Sequence, residues 1–185
     1  MGGKTPQLGT CFPSMDCGNC IMPFEGELHR RCMYRSPVTQ EPNVHVHTLS
    51  ELKRLVGVVG NFRAIIETQP RYINPEKCIG CGKCMELCEG EAPNEFDQGL
   101  SMRKAVYIPN NQSLPRIPYM DIEHCENAED LVKACPLGAI ELDMKPNEET
   151  LKVGTVIVAT GFDMYDPTGT YMYGENKDVV TQLEL

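Results

Sequence analysis

The fold follows from one short run, Cys78-Ile79-Gly80-Cys81-Gly82-Lys83-Cys84-Met85-Glu86-Leu87-Cys88. Its cysteines are spaced C-x2-C-x2-C-x3-C, which is the ligand spacing of bacterial proteins that hold 4Fe–4S clusters. Three thiolates on a tight loop can wrap one cubane, and the glycines between them let backbone N–H groups approach its sulfides. A zinc site or a disulfide cage is the weaker alternative, because zinc sites normally pair two separate CxxC knuckles. The run therefore predicts an iron–sulfur site.

A degenerate copy of this run lies further along the chain, where residues 123–135 repeat residues 76–88 at a constant offset. The copy keeps its outer cysteines but has Ala128 and Leu131 where the inner two would stand. In two-cluster folds the fourth cysteine of each run ligates the other cluster. The first cluster is then predicted to have the ligands Cys78, Cys81, Cys84 and Cys135. Cys88 and Cys125 are left as candidate ligands of a second site. Because two thiolates do not hold a conventional cubane, either this cluster is absent or its other ligands come from elsewhere in the chain, and we expect it to be absent.

Four further cysteines lie near the start of the chain, at positions 11, 17, 20 and 32. Cys17-Gly18-Asn19-Cys20 is a CxxC pair, a weak signal that redox dithiols, zinc knuckles and cluster ligands share. Cys17 and Cys20 are therefore candidate metal ligands, and a third site built from these four cysteines stays open. The alternative is that some of them are buried apolar side chains.

The composition restricts the function classes. The 185 residues include ten cysteines and no tryptophan, and the formal net charge is −9. An acidic balance argues against nucleic acid, whose binding depends on neutralising phosphates with Lys and Arg. No secretory signal is visible at residues 1–6, and the most apolar run, residues 153–159, is too short to span a bilayer. A reducing cytoplasm is therefore expected, where clustered cysteines serve as ligands rather than disulfides.

Strand patterns flank the cysteine-rich region. Residues 43–73 are predicted to be strands, with alternation over residues 44–47 and a hairpin around Gly60-Asn61. His45 and His47 would then share a face, which is also what an exposed polar face looks like. The run Val156-Ile157-Val158-Ala159 predicts a buried strand that leads into a glycine turn at Gly161.

The order of these pieces resembles the A subunit of heterodisulfide reductase, which is a flavin and iron–sulfur protein of methanogens and related anaerobes. The resemblance runs through nearly the whole chain, and several of the strings that carry it are unusual. They are Phe12-Pro13-Ser14-Met15-Asp16-Cys17-Gly18-Asn19-Cys20, Val59-Gly60-Asn61-Phe62, Pro70-Arg71-Tyr72, the run 78–88, Pro93-Asn94-Glu95-Phe96-Asp97-Gln98-Gly99-Leu100, Arg103-Lys104-Ala105-Val106-Tyr107 and Val153-Gly154-Thr155-Val156-Ile157-Val158-Ala159-Thr160-Gly161-Phe162.

The resemblance implies a flavoprotein whose FAD domain carries a ferredoxin-type insertion. It places Gly2 and Gly3 just beyond the first dinucleotide-binding unit, and Ala159, Thr160 and Gly161 beside the flavin at a strand end. The family passes electrons between FAD, its clusters and partner subunits, and some members bifurcate electrons at the flavin. The sequence departs from the family because no G-x-G-x-x-G fingerprint precedes Gly2 and because Glu89, not proline, follows Cys88. FAD binding is therefore expected only with a partner chain or the missing N-terminal unit.

The predicted fold class is α+β, a ferredoxin-type 4Fe–4S module inserted in remnants of an FAD-binding α/β domain. Residues 1–73 are expected to form a partial FAD-domain segment with a Cys-rich start and a hairpin. Residues 74–144 are expected to form the iron–sulfur domain, with a degenerate second repeat, and residues 145–185 the return strand of the FAD domain and a tail. The chain is expected to relay electrons as a component of an oxidoreductase, without catalysis of its own. Expected partners are the other subunits of a heterodisulfide-reductase-like complex, or a ferredoxin or hydrogenase-type protein, with no membrane span. The alternative is a stand-alone ferredoxin-like carrier or an assembly module without FAD.

Overall fold

The computed structural model describes residues 42–109, 113 and 115–185, together with Lys4, Gln7 and the backbone of residues 10–11 and 16–17. Near the start of the chain, β1 (Thr10–Cys11) and β2 (Asp16–Cys17) form a short antiparallel pair. Gly2, Gly3, Cys20 and Cys32 lie outside the described residues, so the predictions made for them are untested.

An antiparallel sheet of three strands brackets the cysteine-rich region. β3 (Ser50–Val58) and β4 (Asn61–Thr68) form a hairpin, and β9 (Asn147–Val153) returns to pair with the other edge of β4. β-branched residues favour both hairpin strands, and Gly60 supplies the left-handed turn conformation with φ of 84°. The predicted hairpin around Gly60-Asn61 is confirmed, with strands slightly longer than the sequence pattern indicates.

Between β4 and β9 the chain forms a small mixed unit with two short helices. Each helix is followed directly by the last cysteine of a run: α1 (Lys83–Leu87) by Cys88 and α2 (Ala128–Ala134) by Cys135. The remaining elements are β5 (Glu91–Pro93), a 3-10 turn (Glu95–Asp97), β6 (Met102–Lys104), β7 (Val106–Tyr107) and β8 (Tyr119–Met120). β5 pairs with β6 and β7 with β8, both antiparallel, and Ile73 bridges Ile140 where the unit closes.

The core of the described chain lies within this unit. Its buried members pack as one cluster: Ile73, Cys88, Ala105, Val106, Met120, Cys125, Leu131 and Ile140. This core is small and contains no buried aromatic ring, which agrees with the low aromatic content of the sequence. Apolar burial alone therefore stabilises the unit weakly, as is usual for small domains that depend on a metal.

Arg103 links the outer edge of the unit. Its side chain is only 11% exposed. Its Nη2 atom donates to Glu95 at 2.9 Å and to Asp121 at 3.2 Å, and its guanidinium lies 3.8 Å from the ring centroid of Tyr107. The same Glu95 carboxylate accepts from the Tyr107 hydroxyl at 2.7 Å. Burial acts to raise the pKa of Glu95, but the bonds from Arg103 and Tyr107 outweigh it and lower that pKa to about 2.

We expect Arg103→Ala to lower the free energy of unfolding by about 2 kcal/mol, because the largely buried carboxylate of Asp121, 16% exposed, loses this donor and the packing of the guanidinium on Tyr107 is lost. The matched control is Lys104→Ala, since Lys104 pairs with Glu91 at 3.5 Å and both side chains are about half exposed. That exposed pair should contribute less than about 0.5 kcal/mol. Anaerobic urea unfolding followed by circular dichroism measures both variants. Equal losses in the two variants would contradict the role given to Arg103.

Two strand predictions are wrong. Residues 44–47 are exposed and lie in no strand, so His45 and His47 do not share a strand face. β9 ends at Val153, and the predicted buried strand beyond it is exposed chain, with Ile157 89% and Val158 76% exposed. The physical reason is the same in both cases. A β-prone sequence becomes a strand only when it pairs with another strand, and in the described part of the chain neither segment has such a pairing.

The described residues contain no helix that is both long enough and apolar enough to cross a bilayer.

Candidate metal centre

Cysteines from both runs line a single cavity. Cys78, Cys81 and Cys84 come from the loop before α1 and from α1 itself, and Cys135 comes from the end of α2. Apolar side chains, among them Ile79 and Leu137, complete the wall. Cys88 does not line this cavity. The structure thus brings together the first three cysteines of one run with the last cysteine of the other.

Backbone N–H groups point at two of these sulfurs. The amide of Gly80 donates to Cys78 Sγ at 3.4 Å, and the amide of Ala139 donates to Cys135 Sγ at 3.3 Å. The loop can take this path because Gly80 has φ of 67°, in the left-handed region. Hydrogen bonds to ligand sulfurs are one of the means by which a protein sets the reduction potential of an iron–sulfur cluster.

The thiols around the cavity differ in acidity. Burial, with the neighbouring Cys78, raises the pKa of the Cys84 thiol to about 11. Burial acts the same way on Cys135, but the amides of residues 137–140 outweigh it and the pKa of that thiol is lowered. Cys84 is therefore protonated at neutral pH when no metal is bound. Metal binding must displace that proton, since the thiolate is the ligand.

The donor set suits an iron–sulfur cluster. Cys78, Cys81, Cys84 and Cys135 line one cavity, and in a cubane each of four thiolates binds a different iron. All four donors are soft sulfur ligands, which suit iron–sulfur chemistry.

The two cysteines left over by the crossed ligand set lie in the apolar core. Cys88 and Cys125 are buried, 2% and 8% exposed, and they pack in the core with Leu131. Burial raises the pKa of the Cys125 thiol to about 11, with contributions from the adjacent Cys88. Gly90 packs directly on the backbone of residues 124 and 125. The two cysteines thus contact each other in the core, and Leu131 fills space that an inner cysteine of the second run would occupy.

Asn127 holds the two runs together at this point. Its side-chain amide donates to the carbonyl of Leu87 at 2.8 Å, and its side-chain oxygen accepts from the amide of Glu89 at 3.2 Å. The end of α1 is thereby fixed against the start of α2. This contact sets the position of Cys135 relative to the first run.

We expect Cys135→Ser to lose nearly all of its iron, whereas Cys88→Ser should retain it, because Cys135 lies at the cavity and Cys88 lies in the core. The measurement is iron and acid-labile sulfide per chain after anaerobic preparation of both variants. Buried Cys88→Ser will lower stability by roughly 1–3 kcal/mol as an unsatisfied hydroxyl, so iron is measured on the folded fraction. Iron loss in Cys88→Ser with retention in Cys135→Ser would refute the crossed ligand set.

Ala159, Thr160 and Gly161, the other predicted site residues whose side chains the structure describes, do not line this cavity. Ala159, Thr160 and Gly161 lie in exposed chain after β9, and Gly161 has φ of 77°. For Cys17 the structure describes only the backbone, in β2. His47 lies near Glu149, at 3.9 Å, and away from the cysteines.

Sequence reasoning missed several residues that shape the site. Asn127 and Gly90 act through contacts between distant segments, and nothing in their local sequence indicates this. Arg71 lines a second cavity, whereas the sequence identifies it only as part of the string Pro70-Arg71-Tyr72.

Comparison with known proteins supports a 4Fe–4S centre in this part of the chain. Residues 71–94 match the family model of the 4Fe-4S binding domain. Over its whole length the chain is 41% identical to the A subunit of H2:CoB–CoM heterodisulfide, ferredoxin reductase from Methanothermobacter marburgensis, and 42% identical to the iron-sulfur A subunit of CoB–CoM heterodisulfide reductase from Methanocaldococcus jannaschii. It is 32% identical to the A subunit of ferredoxin:CoB–CoM heterodisulfide reductase from Methanosarcina mazei. The chain spans about a quarter of each of these relatives, 27%, 27% and 23%.

Proposed function

The chain is homologous over its full length to a part of the A subunit of CoB–CoM heterodisulfide reductase, and on this premise we propose that it is the electron-relaying part of a heterodisulfide-reductase-like complex. Residues 74–144 are the iron–sulfur module in this proposal, and residues 1–73 and 145–185 connect the module to an FAD domain. The chain relays electrons between FAD, clusters and partner subunits, and it does not turn over a substrate alone.

One observation carries the proposal: the thiols of Cys78, Cys81, Cys84 and Cys135 line one cavity. These four residues would hold a 4Fe–4S cluster, which supplies reversible one-electron transfer when bound. The chain's own contribution is to orient the thiols, to exclude water with apolar side chains and to donate N–H groups from Gly80 and Ala139.

The rim of the cavity suggests where electrons enter or leave. Ile79 and Leu137 line the cavity and are 73% and 48% exposed. An exposed apolar rim beside a cluster suits the transient docking of a redox partner, because contact there brings a second redox centre close. We assign this rim to another subunit of the complex, or to a ferredoxin or hydrogenase-type protein, in an anaerobic methanogenic cytoplasm.

The experiment that tests this function is an anaerobic preparation of the chain with metal, sulfide and flavin analysis. We expect about four iron and four sulfide per cluster, a broad visible charge-transfer band that bleaches on dithionite reduction, and an electron paramagnetic resonance signal from the reduced form. Zinc without sulfide would contradict the proposal. A cluster that never exchanges electrons with flavin or with partner subunits would favour the stand-alone carrier.

We propose that FAD binding requires a dinucleotide-binding unit with a G-x-G-x-x-G fingerprint, which residues 1–185 do not contain. Flavin affinity in dinucleotide-binding folds rests on a glycine-rich turn and a helix N-terminus at the pyrophosphate. Ala159, Thr160 and Gly161 are exposed and can contact a flavin, but they cannot cradle its phosphates.

We expect the purified chain to bind FAD with a Kd above about 100 μM, because its proposed flavin contacts, Gly2, Gly3 and residues 159–161, do not include a turn that cradles the pyrophosphate. Fluorescence titration of FAD with the anaerobic chain measures this affinity. Addition of the polypeptide that carries the first dinucleotide-binding unit should restore stoichiometric binding. Tight binding by the chain alone would show that it is a flavoprotein in its own right.

A further inference from the structure

A second cavity lies away from the cysteines, between residues 46–49 and a set of described residues further along the chain, Tyr107, Pro109, Ser113, Pro115, Ile117 and Tyr119. It is open to solvent and measures about 570 Å³. Polar side chains project from several segments into a largely apolar wall: His47, Arg71, Glu95, Tyr107, Ser113 and Tyr119. This volume falls in the usual range of small-molecule sites, which combine an apolar wall with a few polar groups. None of these residues lines the cavity of the cysteines.

Arg71 is the residue whose chemistry indicates a ligand. Its guanidinium donates from Nη1 to the carbonyl of Ile117 at 3.1 Å and from Nη2 to Thr48 Oγ1 at 3.2 Å. Both acceptors are neutral, and within the described residues no carboxylate lies at ion-pair distance from it. Arg71 is partly buried, and this burial lowers the pKa of its guanidinium. A partly buried cation without an anion is costly, and an anionic ligand would offset that cost.

Among the described residues that line this cavity, the one carboxylate is already engaged. Glu95 lines the same cavity, but it accepts hydrogen bonds from Arg103 and from the Tyr107 hydroxyl. Its charge is thereby balanced by Arg103 and not by Arg71. An anion that enters the cavity would meet the Arg71 cation, which has no carboxylate at ion-pair distance among the residues that the structure describes. Glu95 would stay bonded to Arg103 and Tyr107.

Tyr119 offers a second donor on an aromatic wall. Its ring packs edge-on against Tyr107, with centroids 5.8 Å apart. Its hydroxyl makes no hydrogen bond to any residue that the structure describes. The cavity therefore presents a guanidinium and a hydroxyl beside two aromatic rings, which suits an oxyanion joined to an apolar body.

We propose that this cavity is a binding site for a small organic anion, in which Arg71 pairs with a carboxylate or phosphate group and Tyr119 donates a second hydrogen bond. Arginine recognises both groups through paired N–H donors, so the two share one chemistry. The apolar wall takes the body of the ligand. The competing explanation is structural, in which Arg71 only ties residue 48 to residue 117.

Calorimetric titration of the full chain, prepared anaerobically with its cluster, tests the proposal with three probes. These are 4-hydroxybenzoate, phenyl phosphate, and 4-hydroxybenzamide as the uncharged analogue. We expect at least one anion to bind at least tenfold more tightly than the amide. Preference for the benzoate assigns a carboxylate ligand, and preference for phenyl phosphate assigns a phosphate ester. Failure of both anions to bind, or equal binding of the amide, overturns the proposal.

Matched variants separate ligand binding from a structural role. Arg71→Gln should weaken anion binding at least tenfold, and Tyr119→Phe should weaken it severalfold while it keeps the aromatic wall. Arg63→Gln is the control, because Arg63 is exposed on β4 and lies outside the cavity. If Arg71→Gln does not fold, Arg71→Lys is used instead. It keeps the cation but loses the paired donors, so it should bind the anion with intermediate affinity.

Two results would overturn the proposed site. One is that Arg63→Gln weakens anion binding as much as Arg71→Gln does, and the other is that Tyr119→Phe and Arg71→Lys both bind the anion with full affinity.

Discussion

Cys81→Ser is expected to lose the iron–sulfur cluster entirely and to abolish cooperative unfolding of residues 74–144. Cys81 lines the cavity between Cys78 and Cys84 and is itself exposed, so its replacement disturbs no core packing. The effect therefore reports ligation alone. In small metal-binding domains the free energy of metal binding is folding free energy, and the apolar core here is thin.

Iron analysis and anaerobic thermal unfolding of Cys81→Ser measure the two effects. The matched control is Cys125→Ala, which changes a buried cysteine outside the cavity. We expect that control to keep its iron and to lose only about 1–2 kcal/mol of stability from the small void. If Cys81→Ser kept its iron and a cooperative transition, the ligand assignment would be wrong.

Gly90→Ala is expected to destabilise the module by at least about 3 kcal/mol, at the upper end of what overpacking costs. An added Cβ at this position would lie 1.8 Å from the carbonyl oxygen of His124 and 3.2 Å from the Cα atom of Cys125. Both are backbone atoms, so no side chain can turn away to make room. The two runs must move apart, which also displaces Cys135 from the cavity.

The control for this variant is Gly154→Ala. There the nearest atom to an added Cβ is the Gly60 carbonyl oxygen at 4.0 Å, and the backbone conformation suits an L residue. Its free energy of unfolding should change by no more than about 0.5 kcal/mol. Anaerobic urea unfolding distinguishes the two glycines. A stability of Gly90→Ala close to that of the unmodified chain would show that the runs are not packed together.

The parts of the structure that sequence predicts are those that local chemistry determines. Cysteine spacing fixes which thiols can share a loop, and the turn at Gly60 fixes the hairpin, because both depend on residues close in sequence. The strand expected at 156–159 does not form, since pairing requires a second strand that its own residues cannot supply. The Arg103 network joins residues 95, 103, 107 and 121, and the Arg71 cavity joins residues 48, 71 and 117. Contacts over such separations leave no local signal.

Thr68 at the end of β4 pairs with Asn147 at the start of β9, so the chain leaves and re-enters the sheet at neighbouring positions. A second closure lies just inside, where the amide of Asn74 donates to the carbonyl of Ala139 at 2.7 Å. The entropy of closing a loop grows only slowly with its length. The entropic cost of closing the segment between Thr68 and Asn147 therefore depends little on how many residues that segment contains. An insertion between these two positions can therefore be replaced as a unit while the sheet stays closed. A protein engineer can use Thr68 and Asn147 as the attachment points for another electron-carrying domain.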